Sequence, residues 1–221
     1  MKIKWLGQGG YLLWDDCNAV CIDPYLSDCV TRLAGRKRLV PAPIAPEELK
    51  ADVVICTHNH LDHVDIDAIP RMDPRITFLA PADCQGKFQE LGVKLHRIFE
   101  EGDTVELGDF RLEAVHAEHT VPAIGVLVHY GDKTYYFSGD TFYHEALVGR
   151  RIDGMFICIN GRLGNMNVEE AKTLTRLIQP RFAVPNHYDL LEGNTEDPRK
   201  FDLPYARILE HGKEYEIECL I

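Results

Sequence analysis

The most informative part of the sequence is "THNHLDH", residues 57–63, which places three histidines and an aspartate directly after the apolar run "DVVIC". An apolar run of this kind predicts a buried β-strand. His58 and His60 lie two residues apart, so in an extended segment they share one face and can hold one metal ion. Asp62 and His63 follow once the chain has begun to turn, and they can reach a second position nearby. Imidazole suits zinc and similar ions, and a carboxylate adds affinity for harder ions such as manganese.

The composition indicates one globular domain spanning residues 1–221, because 45% of the residues are hydrophobic and no tract has low complexity. The formal net charge of −11 makes nucleic acid an improbable partner, because phosphate groups are bound by lysine and arginine. The seven cysteines form no CxxC pair, so we expect free thiols in a reducing cytosol. No segment resembles a signal peptide or is long enough to span a bilayer, so we predict a cytoplasmic protein without membrane contact.

The order of the predicted elements indicates two packed sheets with helices outside them. Strand-like runs occupy the amino-terminal part, and residues 104–139 read as a series of antiparallel strands. The clearest helix lies within 167–180, where an asparagine cap precedes apolar residues at helical spacing and a proline ends the pattern. We expect an irregular stretch at 24–46, a short helix at 64–72 and a last strand at 213–221.

Other residues that can bind metal stand at the ends of further strand-like runs. Asp140 lies in "SGDT", with a glycine beside it that allows close approach, and His187 ends "AVPNH". His116 and His119 both lie in "AVHAEHT". Each of them alone is compatible with an ordinary surface or core residue. Together with the loop at 57–63 they indicate a metal site built from several strand ends.

The chain resembles the metallo-β-lactamase superfamily. "THNHLDH" matches the HxHxDH sequence of that family, and the order continues with a glycine-rich turn after the first strand, "IDP" at 22–24, a later histidine, "SGDT" and a final "NH". Within the superfamily, "RLAGRKRLVP", "SGDTFY" and "VPNHYD" are similar to segments of the branch that contains L-ascorbate-6-phosphate lactonase. The resemblance implies an αββα sandwich, an α/β fold of four layers, with two metal positions at one edge of the sheets.

The same resemblance implies a set of ligands for one or two divalent ions, with zinc or manganese expected. The first position would be held by His58, His60 and His119, the second by Asp62, His63 and His187, and Asp140 would bridge them. Asp62 and His187 are also the predicted catalytic residues. We choose His119 over His116 because it fits the family pattern, and two residues three apart in one strand face opposite sides. His116 would then face the substrate.

A divalent ion lowers the pKa of bound water from 15.7 to about 7, so this set of ligands predicts hydrolysis by a metal-bound hydroxide. An oxyanion formed in such a reaction needs hydrogen-bond donors near it. The candidates next to the expected strand ends are Asn160, Arg162, Asn186 and Tyr188. Arg36 and Arg38 lie in the basic stretch "RLAGRKR", residues 32–38, which we interpret as a lid for an anionic substrate.

The leading hypothesis is therefore a metal-dependent hydrolase of a small anionic molecule, with a sugar-phosphate lactone as the first candidate. One alternative is a phosphodiesterase or RNA-processing nuclease, because "HTVPAIG" resembles the tRNA-maturing branch of the superfamily. Another is a non-enzymatic metal-binding protein on the same fold, and a redox-active diiron protein is less favoured. Association into a homo-oligomer remains open.

Overall fold

Two mixed β-sheets face each other in the computed structural model, which describes residues 1–221. The first six strands are β1 (Lys2–Gly7), β2 (Gly10–Trp14), β3 (Ala19–Ile22), β4 (Val53–Ile55), β5 (Thr77–Ala80) and β6 (His96–Ile98). The next six are β7 (Thr104–Leu107), β8 (Phe110–His116), β9 (Ile124–Tyr130), β10 (Lys133–Phe137), β11 (Gly154–Cys158) and β12 (Phe182–Asn186). The last strand, β13 (Glu214–Glu216), returns to the first sheet.

The strand directions explain how distant parts of the chain meet at one edge. The first sheet has the order β13-β1-β2-β3-β4-β5-β6, and the second has the order β12-β11-β10-β9-β8-β7. In the first sheet, β3 and β4 pair in parallel, and β1 runs the same way because β2 is antiparallel to both of its neighbours. In the second sheet, β10, β11 and β12 are parallel, and β8 shares their direction through the antiparallel β9. The carboxyl ends of these strands therefore lie at a common edge within each sheet.

The alternation of side chains along β4 separates two hydrophobic layers. Val53 and Ile55 point into the core between the sheets, whereas Val54 and the following Cys56 belong to the second core cluster on the outer face. In the inner core the rings of Phe137 and Phe156 stack with their centroids 4.4 Å apart. The strands are apolar in sequence because both faces of this sheet are covered.

Three α-helices lie outside the sheets: α1 (Cys29–Ala34), α2 (Gln85–Glu90) and α3 (Val168–Ile178). The first residue before α3, Asn167, accepts hydrogen bonds from the backbone N–H groups of Glu169 and Glu170, and the Glu170 carboxylate accepts one from the N–H of Asn167. This reciprocal cap fixes where the helix begins. No helix of the chain combines the length and the apolar character needed to cross a membrane.

The predicted αββα class is confirmed, since two mixed sheets are flanked by helices. Three local predictions were wrong. The stretch 24–46 is not wholly irregular, because it contains α1, which ends at a left-handed glycine, Gly35. At 64–72 a 3-10 turn (Ile69–Arg71) follows a run of turns. The Asp65 carboxylate caps the N–H groups of Asp67 and Ala68 as at the start of a helix, but Pro70 has no N–H with which to continue one. The final strand is limited to 214–216, and a 3-10 turn follows it.

Replacing Asn167 by alanine is expected to lower the free energy of unfolding by about 1 kcal/mol, because two backbone donors of α3 lose their acceptor. Urea unfolding of the chelator-treated protein measures this change. Thr173→Ala, on the exposed face of the same helix, is the matched control and should have little effect. An equal loss in both variants would contradict the role assigned to the cap.

Candidate metal centre

The residues that can bind metal converge from four loops at the common strand edge. The loop after β4 carries four of them, and β8, β10 and β12 are each followed by one more. Side chains from the two sheets meet there, since the nearest atoms of His63 and Asp140 are 3.3 Å apart. The seven residues brought together are His58, His60, Asp62, His63, His119, Asp140 and His187.

The first group consists of His58, His60 and His119. Nδ1 of His60 lies 3.0 Å from Nε2 of His58 and 3.3 Å from Nε2 of His119. Two nitrogens bound to one tetrahedral zinc ion at about 2.1 Å are themselves about 3.4 Å apart. The spacing of this group therefore suits a single ion.

The second group consists of Asp62, His63 and His187. Oδ2 of Asp62 lies 3.9 Å from Nε2 of His63 and 3.7 Å from Nε2 of His187. Oδ1 of Asp140 lies 3.3 Å and 2.8 Å from the same two nitrogens. Asp140 also forms a group with His58 and His63, so it lies between the two positions.

A second observation, independent of the distances between the ligand atoms, also indicates a metal ion. Nε2 of His63, Nε2 of His187 and Oδ1 of Asp140 are all buried, and none has a partner in hydrogen-bonding geometry. Buried polar atoms are nearly always paired, and leaving one unpaired is costly. A divalent cation among these three atoms would satisfy all of them together.

The other ring nitrogens of three histidines face oxygen atoms. Nδ1 of His58 lies 3.1 Å from Oγ1 of Thr57, Nδ1 of His63 lies 2.8 Å from Oδ2 of Asp23, and Nδ1 of His119 lies 3.1 Å from the carbonyl of Gly164. An oxygen acceptor favours the hydrogen on Nδ1 and leaves Nε2 free to bind metal. These contacts orient each ring toward the ligand group in which it takes part.

Burial keeps the histidines of the first group unprotonated. It lowers the pKa of His58 well below the ordinary value, and repulsion from a neighbouring imidazole lowers it further. Burial also lowers the pKa values of His60 and His119. Neutral imidazole is the form that binds a metal ion, so the three rings are ready to bind at neutral pH.

The carboxylates reverse this effect in the second group. Burial lowers the pKa values of His63 and His187, but the nearby carboxylates, Asp140 among them, outweigh burial and raise both. Burial likewise opposes ionisation of Asp140, yet the two imidazoles hold its pKa well below the usual range. Protons and metal compete for these nitrogens, so metal affinity at this position falls as the pH falls.

Several residues that form or support the candidate ligand groups have a left-handed backbone. His187 has a φ of +63°, and its N–H donates to the carbonyl of Gln8, which itself has a φ of +48°. Asp23 has a φ of +46°. Gly139, with a φ of +55°, has no room for a side chain, because a Cβ there would lie 2.9 Å from Oγ1 of Thr57. Left-handed backbone at non-glycine residues costs energy and concentrates at functional sites.

The structure contradicts the role predicted for Arg38. Its guanidinium donates to the carbonyls of Val40, Tyr25 and Ser27 and lies 4.6 Å from the centre of the Tyr25 ring. Arg38 therefore anchors the segment 25–40 and is not available to a substrate. Arg36 is half-buried and makes no side-chain hydrogen bond or ion pair, so it stays a candidate.

The other predicted substrate residues differ in what they contact. Tyr188 is only 6% exposed and packs against Trp5, so its ring belongs to the core and not to a binding surface. Asn160 donates to the side chain of a residue that the sequence analysis missed, Asn194, at 2.6 Å. Asn186 is buried and Arg162 donates to a backbone carbonyl, that of Gly193.

His116 and His119 do not lie in one strand as predicted. His116 is the last residue of β8, and His119 lies in the loop beyond it. Nδ1 of His116 is 3.1 Å from Oε2 of Glu101, and its ring meets that of His144. His116 and His119 both line a cavity of about 670 Å³, a volume in the range of ligand pockets. Of the two, only His119 belongs to a candidate ligand group.

Four supporting residues were not predicted as functional: Gln8, Asp23, Thr57 and Asn194. Asp23 and Gln8 lie in features that the sequence did show, namely "IDP" and the glycine-rich turn after β1. Gln8 donates from Nε2 to Oδ2 of Asp62 at 2.8 Å. Thr57 belongs to the quoted histidine loop, whereas nothing in the sequence around Asn194 indicates its position beside His187.

A sandwich of two mixed sheets, with groups of histidine and aspartate at one edge, defines a protein of the metallo-β-lactamase fold. The family model described as "Beta-lactamase superfamily domain" matches residues 18–188. A UPF0173 metal-dependent hydrolase of Archaeoglobus fulgidus is 32% identical, over 98% of this chain and 99% of its own length. The chain therefore belongs to the beta-lactamase superfamily and, within it, to the UPF0173 family.

Solved structures support the same fold. A metallo hydrolase from Ignicoccus hospitalis has a TM-score of 0.75 at 22% identity and covers 97% of this chain and 98% of its own. A possible metal-dependent hydrolase from Veillonella parvula has a TM-score of 0.81 at 18% identity, with coverage of 97% and 98%. The prediction of an enzyme in this superfamily is confirmed at the level of class, because the homologues are named metal-dependent hydrolases. The individual ligands stay predictions.

Replacing His119 by alanine is expected to lower the metal content of the protein, because the first group loses one of its three nitrogens. His116→Ala is the matched control and should leave metal content near that of the wild type, since His116 belongs to no ligand group. Metal-to-protein ratios after gel filtration, measured in parallel, test both. If only His116→Ala loses metal, the first group must be redrawn around His116.

Proposed function

We propose that this protein is a metal-dependent hydrolase that acts through two adjoining divalent ions. The observation that supports the proposal most strongly is the arrangement of Asp140 between two histidine groups, with buried atoms that a divalent cation would satisfy together. Two-metal hydrolases hold their ions about 3.5–4 Å apart. Zinc and manganese are the ions we propose, because the donors are imidazole and carboxylate.

Asp62 is the residue best placed to take part in the reaction. Its side chain is 18% exposed, whereas those of His63 and His187 are almost fully buried, so it can meet a substrate or a water molecule. The ions, when bound, supply hydroxide at neutral pH by lowering the pKa of coordinated water. Gln8 holds the Asp62 carboxylate through the 2.8 Å hydrogen bond to Oδ2. The fixed carboxylate can then orient the attacking water and accept its proton.

For the substrate, we propose a small anionic molecule, with a sugar-phosphate lactone as the first candidate. Two observations support it. The sequence resembles the L-ascorbate-6-phosphate lactonase branch in three segments. In the segment 32–38, Arg36 and the exposed Lys37 can still bind an anion, although Arg38 is held by backbone carbonyls. A guanidinium recognises phosphate by paired hydrogen bonds.

The observations on this protein support the two alternative functions less well. A phosphodiesterase acting on RNA would need a basic surface, and the net charge is −11. A non-enzymatic metal-binding protein would not need a partly exposed Asp62 held in place by Gln8. A single domain over residues 1–221, a cytoplasmic location and self-association stay predictions.

Replacing Asp62 by asparagine is expected to lower kcat by at least about 100-fold, because the amide cannot accept a proton. The measurement is hydrolysis by zinc- and manganese-loaded protein of a panel containing lactones, with and without phosphate, and phosphodiesters. Asp132→Asn, an exposed carboxylate on a hairpin turn, is the matched control and should keep wild-type activity.

The panel also tests the proposal as a whole. Activity should disappear with chelator and return with metal. Hydrolysis that is equally fast in metal-free protein would overturn the metal-dependent mechanism, and a preference for neutral over phosphorylated lactones would overturn the anionic substrate alone.

A further inference from the structure

The side-chain amides of three buried residues connect Asp62 and His187, the two candidate ligands that occur only in the second group. Gln8 donates from Nε2 to Oδ2 of Asp62 at 2.8 Å, and its Oε1 lies 3.5 Å from Nδ2 of Asn194. Nδ2 of Asn194 is also 3.2 Å from Nδ1 of His187. Oδ1 of Asn194 accepts a hydrogen bond from Nδ2 of Asn160 at 2.6 Å. Gln8, Asn194 and Asn160 are 0%, 1% and 3% exposed, so water does not replace any of these contacts.

The contact at His187 differs from those of the other histidines. Nδ1 of His58, His63 and His119 each faces an oxygen, as described above. Nδ1 of His187 faces the nitrogen of the Asn194 amide. An amide N–H donates only, so in this orientation the hydrogen of a neutral His187 ring would be on Nε2, the atom that faces Asp140 and Asp62. A nitrogen that carries a hydrogen cannot bind a metal ion.

A half-turn of the Asn194 amide removes this conflict. The oxygen and nitrogen of an amide occupy nearly equivalent places, so the turn brings the oxygen to Nδ1 of His187. Asn160 can turn with it, because its own Oδ1 has no partner to lose and its Nδ2 gives up only a 3.4 Å contact with the carbonyl of Arg162. After both turns Asn194 donates to Asn160, and His187 donates from Nδ1 to Asn194. The contact between Asn194 and Oε1 of Gln8, at 3.5 Å the longest of the four, is given up. Nε2 of His187 is then free for a metal ion.

Gln8 orients Asp62 and does not turn with the other two amides. Its Nε2 must donate to the Asp62 carboxylate, which can only accept, so Gln8 cannot turn. Its backbone carbonyl accepts from the N–H of His187, which ties the same residue to both ligands. The position of Asn194 is set equally firmly, because its N–H donates to the carbonyl of Leu191 and its carbonyl accepts from Asp189.

We propose that Asn194 is a positioning residue of the second metal group: its side-chain oxygen accepts the Nδ1 hydrogen of His187 and so directs Nε2 to the metal. Asn160 holds the other end of the Asn194 amide, and Gln8 orients Asp62 in the same group. The inference rests on the metal binding proposed above. It also replaces the earlier interpretation of Asn160 as a residue that contacts the substrate.

The test compares Asn194→Leu with Asn194→Asp. Leucine removes the acceptor, so the affinity for the more weakly bound of two zinc ions should fall about 10–100-fold. Aspartate keeps the shape and the acceptor, and its oxygens find donors in Asn160 and His187. Because its charge also strengthens His187 as a ligand, affinity should be at least that of the wild type. Zinc affinity is measured by competition with a chromophoric chelator, together with the metal-to-protein ratio.

Thr175→Val is the matched control, because it removes a fully buried hydroxyl on α3 that is hydrogen-bonded only within the helix. It should lower stability without changing zinc affinity. If Asn194→Asp weakens zinc binding as much as Asn194→Leu, or if Asn194→Leu binds both ions like the wild type, the positioning role is wrong.

A measurement on the unaltered protein guards against a leucine variant that does not fold. In the zinc-loaded wild type, ¹⁵N NMR of the histidine rings should show His187 with its hydrogen on Nδ1. A hydrogen on Nε2, or zinc on Nδ1, would overturn the inference while leaving the proposed function intact. A protein that binds no zinc at all would overturn both.

Discussion

The buried carboxylate of Asp23 is the interaction on which the rest of the site depends. It lies at the end of β3, fully buried, where an unpaired charge would be strongly destabilising. Its oxygens accept from the N–H and the hydroxyl of Thr57, each at 2.7 Å, and one of them lies 2.8 Å from Nδ1 of His63. Through Thr57 the same carboxylate also sets the ring of His58. One side chain therefore fixes where the histidine loop leaves β4 and how two of its imidazoles face.

The two histidine groups differ in their electrostatics, although they share Asp140. The first contains only imidazoles whose pKa values are lowered, so a metal ion there would displace few protons at neutral pH. The second surrounds His63 and His187 with carboxylates, which outweigh burial and raise the pKa values of both rings. A metal ion at the second position would therefore compete with protons more than one at the first. A metal that binds only the folded chain also stabilises it, so apparent stability depends on metal concentration.

The sequence predicts the layers of the fold and the place of the candidate site better than it predicts the contacts inside the site. Asp140 and His187 could be found because each directly follows an apolar run that must be a strand. The placement of the turns at 64–72 could not be foreseen, because the Asp65 carboxylate accepts from the backbone N–H groups of Leu26 and Ser27, which lie 39 and 38 positions away. Asn194 lies in a polar loop, and its contact with Gln8 joins residues 186 positions apart. No local pattern records such a contact.

Two backbone hydrogen bonds between residues 37–39 and 190–192 limit how the length of either segment can change. The N–H of Leu39 donates to the carbonyl of Leu190, and the N–H of Glu192 donates to the carbonyl of Lys37, each at 2.8 Å. The Arg38 guanidinium holds residues 37–39 through its hydrogen bond to the Ser27 carbonyl, and residues 190–192 lead directly to Asn194. A change in the length of the basic segment 32–38 would therefore also shift residues 190–192 and the loop that carries Asn194. The segment proposed to meet the substrate and the loop proposed to orient His187 are therefore hydrogen-bonded to each other, and a change of length in one is expected to disturb the other.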